Sequence, residues 1–355
     1  MQVKSTIRRS SGFTIVEMLV AMAIFGIILG GVLKVFDTSN YAYMVQEEVA
    51  AMQQNVRVSK MFVERDVRMS GCGIGDFYLS GTTVYPVEFQ NAVGASGSDK
   101  LFINYMNYDA STCPDAPPDI TSTGGPSPTS SEAEVEETFD NPPYDKWVNE
   151  FTCNGETYGG SPFEPFMALI TSPDGSMSDI VYITTAQDVG GVDKVQNAPY
   201  PVGCGSDCNK VINTYPPGST ISYFHQERLT RLAYYITDNV LMRDTLDPLS
   251  GTTVVASDPI AEDIEDLQFC LGLDTDDDDV VDLWIPDASN PALTDDMKYR
   301  VRMIRISILG RTASEHRGYD TSRPAIEDNP AAGSTDGYRR KLLQVTVDIR
   351  NMGLS

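Results

Sequence analysis

Between Phe13 and Leu33 the chain runs through 21 residues that carry a single charge, Glu17. About 20 apolar residues suffice to cross a bilayer as a helix, so this segment is predicted to span a membrane or to be buried among neighbours of its own kind. A carboxylate inside such a segment is costly and calls for a partner. Lys4, Arg8 and Arg9 precede Gly12, which suits a cytoplasmic N-terminus. Cleavage after Gly12 would leave a free α-amino group on Phe13, four residues before Glu17, and so supply the partner. A removable secretory signal would instead need a small-residue cleavage site behind the apolar run. Gly30-Gly31-Val32-Leu33-Lys34 offers none, and the helical pattern continues.

Past Lys34, Val45, Val49, Met52, Val56, Val63 and Val67 recur at helical spacing, with Glu47, Glu48, Arg57, Lys60, Glu64 and Arg65 between them. That is one amphipathic face, predicted to pack on a head until Ser70-Gly71 ends the helix. From Phe13 to Met69 such a helix is roughly 85 Å long at 1.5 Å per residue. Short strand patterns then take over, at 83–89, 101–108, 180–184, 220–225, 232–237, 240–243, 264–271, 301–309 and 342–350. In the last, Leu343, Val345, Val347 and Ile349 alternate with polar residues, as in an antiparallel sheet with one wet face. Asp238-Asn239 marks a hairpin turn. The predicted class is α+β: residues 1–12 as leader, 13–33 as membrane helix, 34–70 as its amphipathic continuation, and 71–355 as a β-rich head. Segments 109–144, 187–218 and 311–338 are rich in Pro, Gly, Ser and Thr and read as mobile loops.

The net charge of −24 opposes a nucleic-acid groove, which needs a basic stripe to displace counterions. All six cysteines lie beyond the membrane segment, where they can oxidise. Six cysteines allow fifteen connectivities; the preferred set is Cys204–Cys208, Cys113–Cys153 and Cys72–Cys270. The chain lacks Gly-x-Ser-x-Gly, His-Glu-x-x-His, a phosphate loop and a dinucleotide fingerprint. His225 and His316 therefore read as structural, and no enzyme is expected.

The basic leader, Gly12-Phe13 and Glu17 ahead of an apolar helix resemble the class III signal of type IV prepilins and pseudopilins. The resemblance implies that a prepilin peptidase cuts after Gly12, methylates Phe13 and leaves the helix in the mature protein. Ala233-Tyr234-Tyr235-Ile236 with Leu241-Met242-Arg243, Ile264 to Phe269, Val301 to Thr312 and Tyr338 to Asn351 resemble the PilW-type minor pilins. That resemblance covers both ends and the C-terminal half; residues 76 to 215 carry little of it. It implies a non-catalytic subunit of a low-abundance initiation or tip complex, working with other minor pilins, the major pilin and a large tip adhesin. It also implies an inner-membrane protein with a periplasmic head that passes to the cell-surface pilus, where Glu17 neutralises the amine of an adjoining subunit and sets axial register. A J-type pseudopilin of type II secretion and an adhesive tip subunit binding a surface ligand remain open alternatives.

One further constellation is chemical. Asp274, Asp276, Asp278 and Asp282 occupy positions 1, 3, 5 and 9 of an EF-hand-like loop, with the Val280 carbonyl at position 7. Calcium is the ion such oxygens would hold. Asp279 stands where glycine is usual and Ile285 where a bidentate glutamate is usual, so a solvated acidic turn is the competing reading.

Overall fold

The structure, a computed structural model, describes residues 13–349 except 73–76, 80–81, 95–96, 107–112, 125, 128–129, 138, 141, 154, 176, 190–191, 201–208, 226–228, 248–252, 277, 279 and 287–299. The chain divides into two compact units, Met1–Ala51 and Met52–Ser355, and one helix, α1 (Ile15–Met69), contributes to both. In the first unit α1 is long and apolar enough to cross a membrane and leaves its apolar window wholly unburied. Phe13, Ile15, Leu19, Phe25 and Ile27 are all exposed.

In the second unit α1 turns Met52, Val56, Ser59, Val63, Asp66 and Val67 inward. The expected stripe began at Val45; Val45 and Val49 are only half-buried, so the fully buried part starts at Met52. Gly71 ends the helix with φ +70°, a conformation that costs glycine least. Its N–H donates to the Asn104 carbonyl instead of continuing the helical ladder.

Strands follow in chain order. β1 (Phe77–Leu79) and β2 (Thr82–Val84) form a hairpin, and β3 (Val87–Gln90) pairs with β4 (Lys100–Met106). Next come β5 (Ile120–Gly124), β6 (Glu132–Val135), β7 (Phe151–Cys153), β8 (Glu156–Tyr158), β9 (Phe166–Thr171), β10 (Ser178–Ile183), β11 (Thr185–Val189), β12 (Val192–Gln196) and β13 (Thr220–Tyr223). The C-terminal run is β14 (Leu229–Thr237), β15 (Val240–Leu246), β16 (Val254–Ala261), β17 (Ile264–Leu273), β18 (Leu283–Ile285), β19 (Val301–Arg311), β20 (Thr321–Ser322), β21 (Thr335–Asp336) and β22 (Arg340–Asp348). Every pairing among them is antiparallel.

Two lobes result. The first combines a sheet ordered β16-β15-β14-β4-β3 with one ordered β18-β17-β19-β22. Its core joins Val56, Val63 and Val67 of α1 to Leu232, Tyr234, Leu267, Phe269, Ile306 and Val347. The β14–β15 hairpin turns at Asp238 and Asn239, both with positive φ, as a two-residue turn in a right-twisted ribbon requires. Asp66, buried on α1, accepts a 2.6 Å hydrogen bond from the Tyr234 hydroxyl and an ion pair from Arg65.

The second lobe is a seven-stranded sheet, ordered β10-β9-β13-β5-β6-β12-β11, with its own core. Phe151 stacks edge-on against Phe166 and Tyr223 at 5.3 and 5.2 Å. Such aromatic pairs add about 0.5–1.5 kcal/mol each beyond their area. Trp147, fully buried, donates from Nε1 to the Pro118 carbonyl.

This lobe corrects two of the expected mobile loops. Between 109 and 144 lie β5 and β6, and between 187 and 218 lies most of the β11–β12 hairpin. The composition hid them because only alternate residues are apolar: β6 reads Glu-Ala-Glu-Val with Ala133 and Val135 buried. The third expected loop, 311–338, is also tied down. Arg323 donates to Asp266 at 2.7 Å, and Arg305 grips Glu327 through two bonds of 2.9 and 2.7 Å.

Candidate functional site

The residues singled out by the sequence begin at the helix start. Gly12 lies outside the described residues; Phe13 is 87% exposed. Thr14 caps α1. Its hydroxyl oxygen accepts the Glu17 N–H at 3.3 Å, while its own N–H and O–H donate to Glu17 Oε2 at 3.0 and 2.9 Å. This reciprocal capping box satisfies two backbone donors that would otherwise face hydrocarbon. Sequence reading missed it by treating Glu17 only as a charge, although Thr-x-x-Glu is a recognisable helix-start pattern. Among the described residues both bonds fall on Oε2, which leaves Oε1 for an incoming donor.

The aspartate loop joins β17 to β18. One ligand oxygen each from Asp274, Asp276 and Asp282 lies within 4.8 Å of the others, Asp274 being buried and the other two exposed. Oxygens sharing an ion at 2.3–2.6 Å can be no more than roughly 5 Å apart, so these three fit a calcium ion. Asp278 is turned to other work: its Oδ1 accepts the Val280 N–H at 2.8 Å, and its N–H donates to Asp274 Oδ1 at 3.2 Å. Mutual repulsion is visible in Asp276, whose carboxyl is raised above its ordinary range by the charges of Asp278 and Asp282. Sequence distance also hid two cations. Arg302 of β19 approaches Asp274 at 3.4 Å, and Arg300 donates to the Thr275 carbonyl at 2.9 Å. Asp277 and Asp279 lie outside the described residues.

Of the cysteines, Cys113 and Cys153 form a disulfide across 40 residues. Cys204 and Cys208 lie outside the described residues. Cys72 and Cys270 are free thiols, which corrects their expected pairing. The cause is their placement along β4. The Cys72 carbonyl accepts from Met106 at one end, whereas Cys270 adjoins Phe269, whose N–H bonds Asp99 just before the other end. A strand rises about 3.3 Å per residue, so those ends stand roughly 20 Å apart, far beyond disulfide reach. His225 and His316 are both buried.

Residues 7–33 match the prokaryotic N-terminal methylation motif, and residues 233–351 match the type IV pilus-assembly protein W family. No curated protein and no solved structure matches the chain. The first match falls on the leader, the Gly12-Phe13 junction and the exposed apolar helix; the second spans the lobe from β14 through β22 that packs against α1. The exposed apolar helix and the head packed on its second half thus carry independent signatures of one system, that of the PilW-type pilins.

Proposed function

We propose that this pilin is a structural subunit of the initiation or tip complex of a type IV pilus. The observation that carries the reading is the helix start: an exposed apolar helix opening on Phe13, Thr14 and Glu17, within the matched methylation motif. Prepilin peptidase cuts between Gly12 and Phe13, and the new α-amino group is methylated. Until assembly, Glu17 caps its own helix through Oε2. In the complex, Oε1 receives the amine of an adjoining pilin, a charge-assisted bond made in a setting with no competing water. The head remains periplasmic while α1 is held in the inner membrane, and the whole subunit then moves out with the filament. Other minor pilins, the major pilin and a tip adhesin are its partners.

The 233–351 match is to a pilus-assembly family, which favours this reading over a secretion pseudopilin. Calcium at Asp274, Asp276 and Asp282 would order the β17–β18 turn, a structural role only. The test is twofold. Mass analysis of the mature chain should find a methylated Phe13 at the N-terminus, and the protein should be recovered in sheared pili. An intact leader, or a chain confined to the membrane while pili form normally without it, refutes the proposal.

A further inference from the structure

The second lobe enters the fold in an unusual way. β4 and β14 are hydrogen-bonded neighbours whose register ends with Met106 opposite Leu229. Residues 107–228 therefore leave and rejoin the first lobe at adjacent points, where a two-residue turn could close the same hairpin. That segment has the length of an ordinary domain. Its core, built on Trp147, Phe151, Phe166, Ile170, Ile221 and Tyr223, is separate from the one that packs α1. The junction is a small cluster of Met106, Met167, Ile180, Phe224 and Leu229, with β1 lying beside β10. No residue of 107–228 falls in either family match. Charge divides the same way: 18 acidic and 4 basic side chains give this segment −14 of the chain's −24. The cysteines divide too. Cys113, Cys153, Cys204 and Cys208 lie inside the segment, while the free thiols Cys72 and Cys270 lie outside it.

From these facts we infer that residues 107–228 are a self-contained display module inserted into a pilin hairpin: it folds as its own cooperative unit, and incorporation through α1 does not need it. The inference rests on the pilin role proposed above. An insertion whose ends meet in one hairpin adds a surface without altering the sheets around it. The helix-packing residues Val56, Val63 and Val67 then serve assembly, and the acidic lobe is presented to whatever the complex meets beyond its own helices.

Calorimetry of the full-length chain in detergent, with and without reductant, tests the folding claim. Two transitions are expected. Reductant should lower one of them by roughly 10 °C, because the Cys113–Cys153 bridge lies wholly within the module. A single transition that moves as a whole overturns the inference. In cells, a chain in which Asn-Gly replaces residues 107–228 should be processed, should accumulate and should appear in sheared filaments beside the full-length control. If the shortened chain fails to accumulate, or is processed but missing from filaments that contain the control, the segment belongs to the assembly apparatus and the inference fails. Absence of the control itself from filaments counts instead against the pilin role, which keeps the two failures distinct.

Discussion

The seam between α1 and β19 gives the sharpest test of how the head holds its helix. A β-carbon added at Gly310 would overlap Cγ2 of Val56 and come within 3.3 Å of Met52 Cγ. Val56 is 2% exposed, so nothing on the helix side can give way into solvent. Gly310→Ala should therefore cost about 1–3 kcal/mol, as overpacking does in other cores. Val56→Ala removes two buried methyl groups and leaves a void, for a loss of roughly 2 kcal/mol. Were the two sites independent, the double variant would lose about 3–5 kcal/mol. The geometry says otherwise: the new methyl at 310 occupies the space that Val56 vacates. The double variant should then be no worse than the worse single variant, a coupling of at least about 1–2 kcal/mol. Thermal unfolding of the three variants, followed in the near ultraviolet, reads this as melting shifts of about 2–4 °C per kcal/mol. Strict additivity, or a Gly310→Ala chain as stable as the parent, would show that helix and strand do not meet there.

Three further expectations follow from particular side chains. Burial raises Asp99 to about 7 and Asp179 to about 6, so the folded chain keeps protons that the unfolded chain releases near pH 4. The stability these groups contribute is greatest at low pH and falls as pH rises through 4 to 7. Asp336, lowered by its bond to Arg340, and Glu327, which Arg305 lowers against its burial, contribute above their unfolded values and lose that contribution as pH falls below about 4.5. Melting temperature should peak near pH 5 and decline toward pH 8, with Asp99→Asn reducing the decline; a rise between those values refutes the sign. Glu17→Gln keeps an acceptor for the Thr14 cap but deletes the charge, so it should insert and be processed yet enter filaments poorly. Filaments containing Glu17→Gln at the normal level would mean that Glu17 serves only as a cap. Millimolar calcium should raise the melting temperature over that in chelator, and Asp276→Ala should abolish the rise; no shift in the parent chain refutes the calcium site and leaves the ion pair of Asp274 with Arg302.

The legible parts of the sequence were those governed by one dominant period. Twenty-one residues with one charge announce α1, and strict alternation announces β22, where Val347 is buried and Leu343 and Val345 half-buried, with polar residues between. Eight of the nine strand patterns each overlap one strand, while 83–89 straddles β2 and β3. Where burial comes from both sides, or from small polar residues, the period fails. β17 is buried along its whole length, including Glu265, Asp266 and Gln268: Arg340 of β22 reaches Glu265, Arg323 and Asn329 of the 311–338 segment reach Asp266, and Gln268 donates to Asp266 and the Gly97 carbonyl. Nothing local in Ile264–Leu273 predicts Arg323, Asn329 and Arg340 as partners, which lie 57 to 75 residues away.

The candidate site divides along the same physical line. Glu17 was found because a charge in an apolar helix is anomalous by itself, while its Thr14 cap was overlooked though only three residues distant. Asp274, Asp276 and Asp282 were found from spacing alone, but the guanidinium beside Asp274 comes from another strand. The inserted lobe hid most completely, since its core is assembled from short, widely separated strands such as β5, β9 and β13. Its ends nevertheless meet at Met106 and Leu229. A hairpin can carry an insertion there without shifting a single register pair of β4 and β14, whereas a change in Val56, Gly310 or Tyr234 alters the surface on which α1 is held. Constraint by the helix and freedom at the hairpin therefore predict where this chain departs from the matched family: in the inserted lobe, and not in the sheet that grips α1.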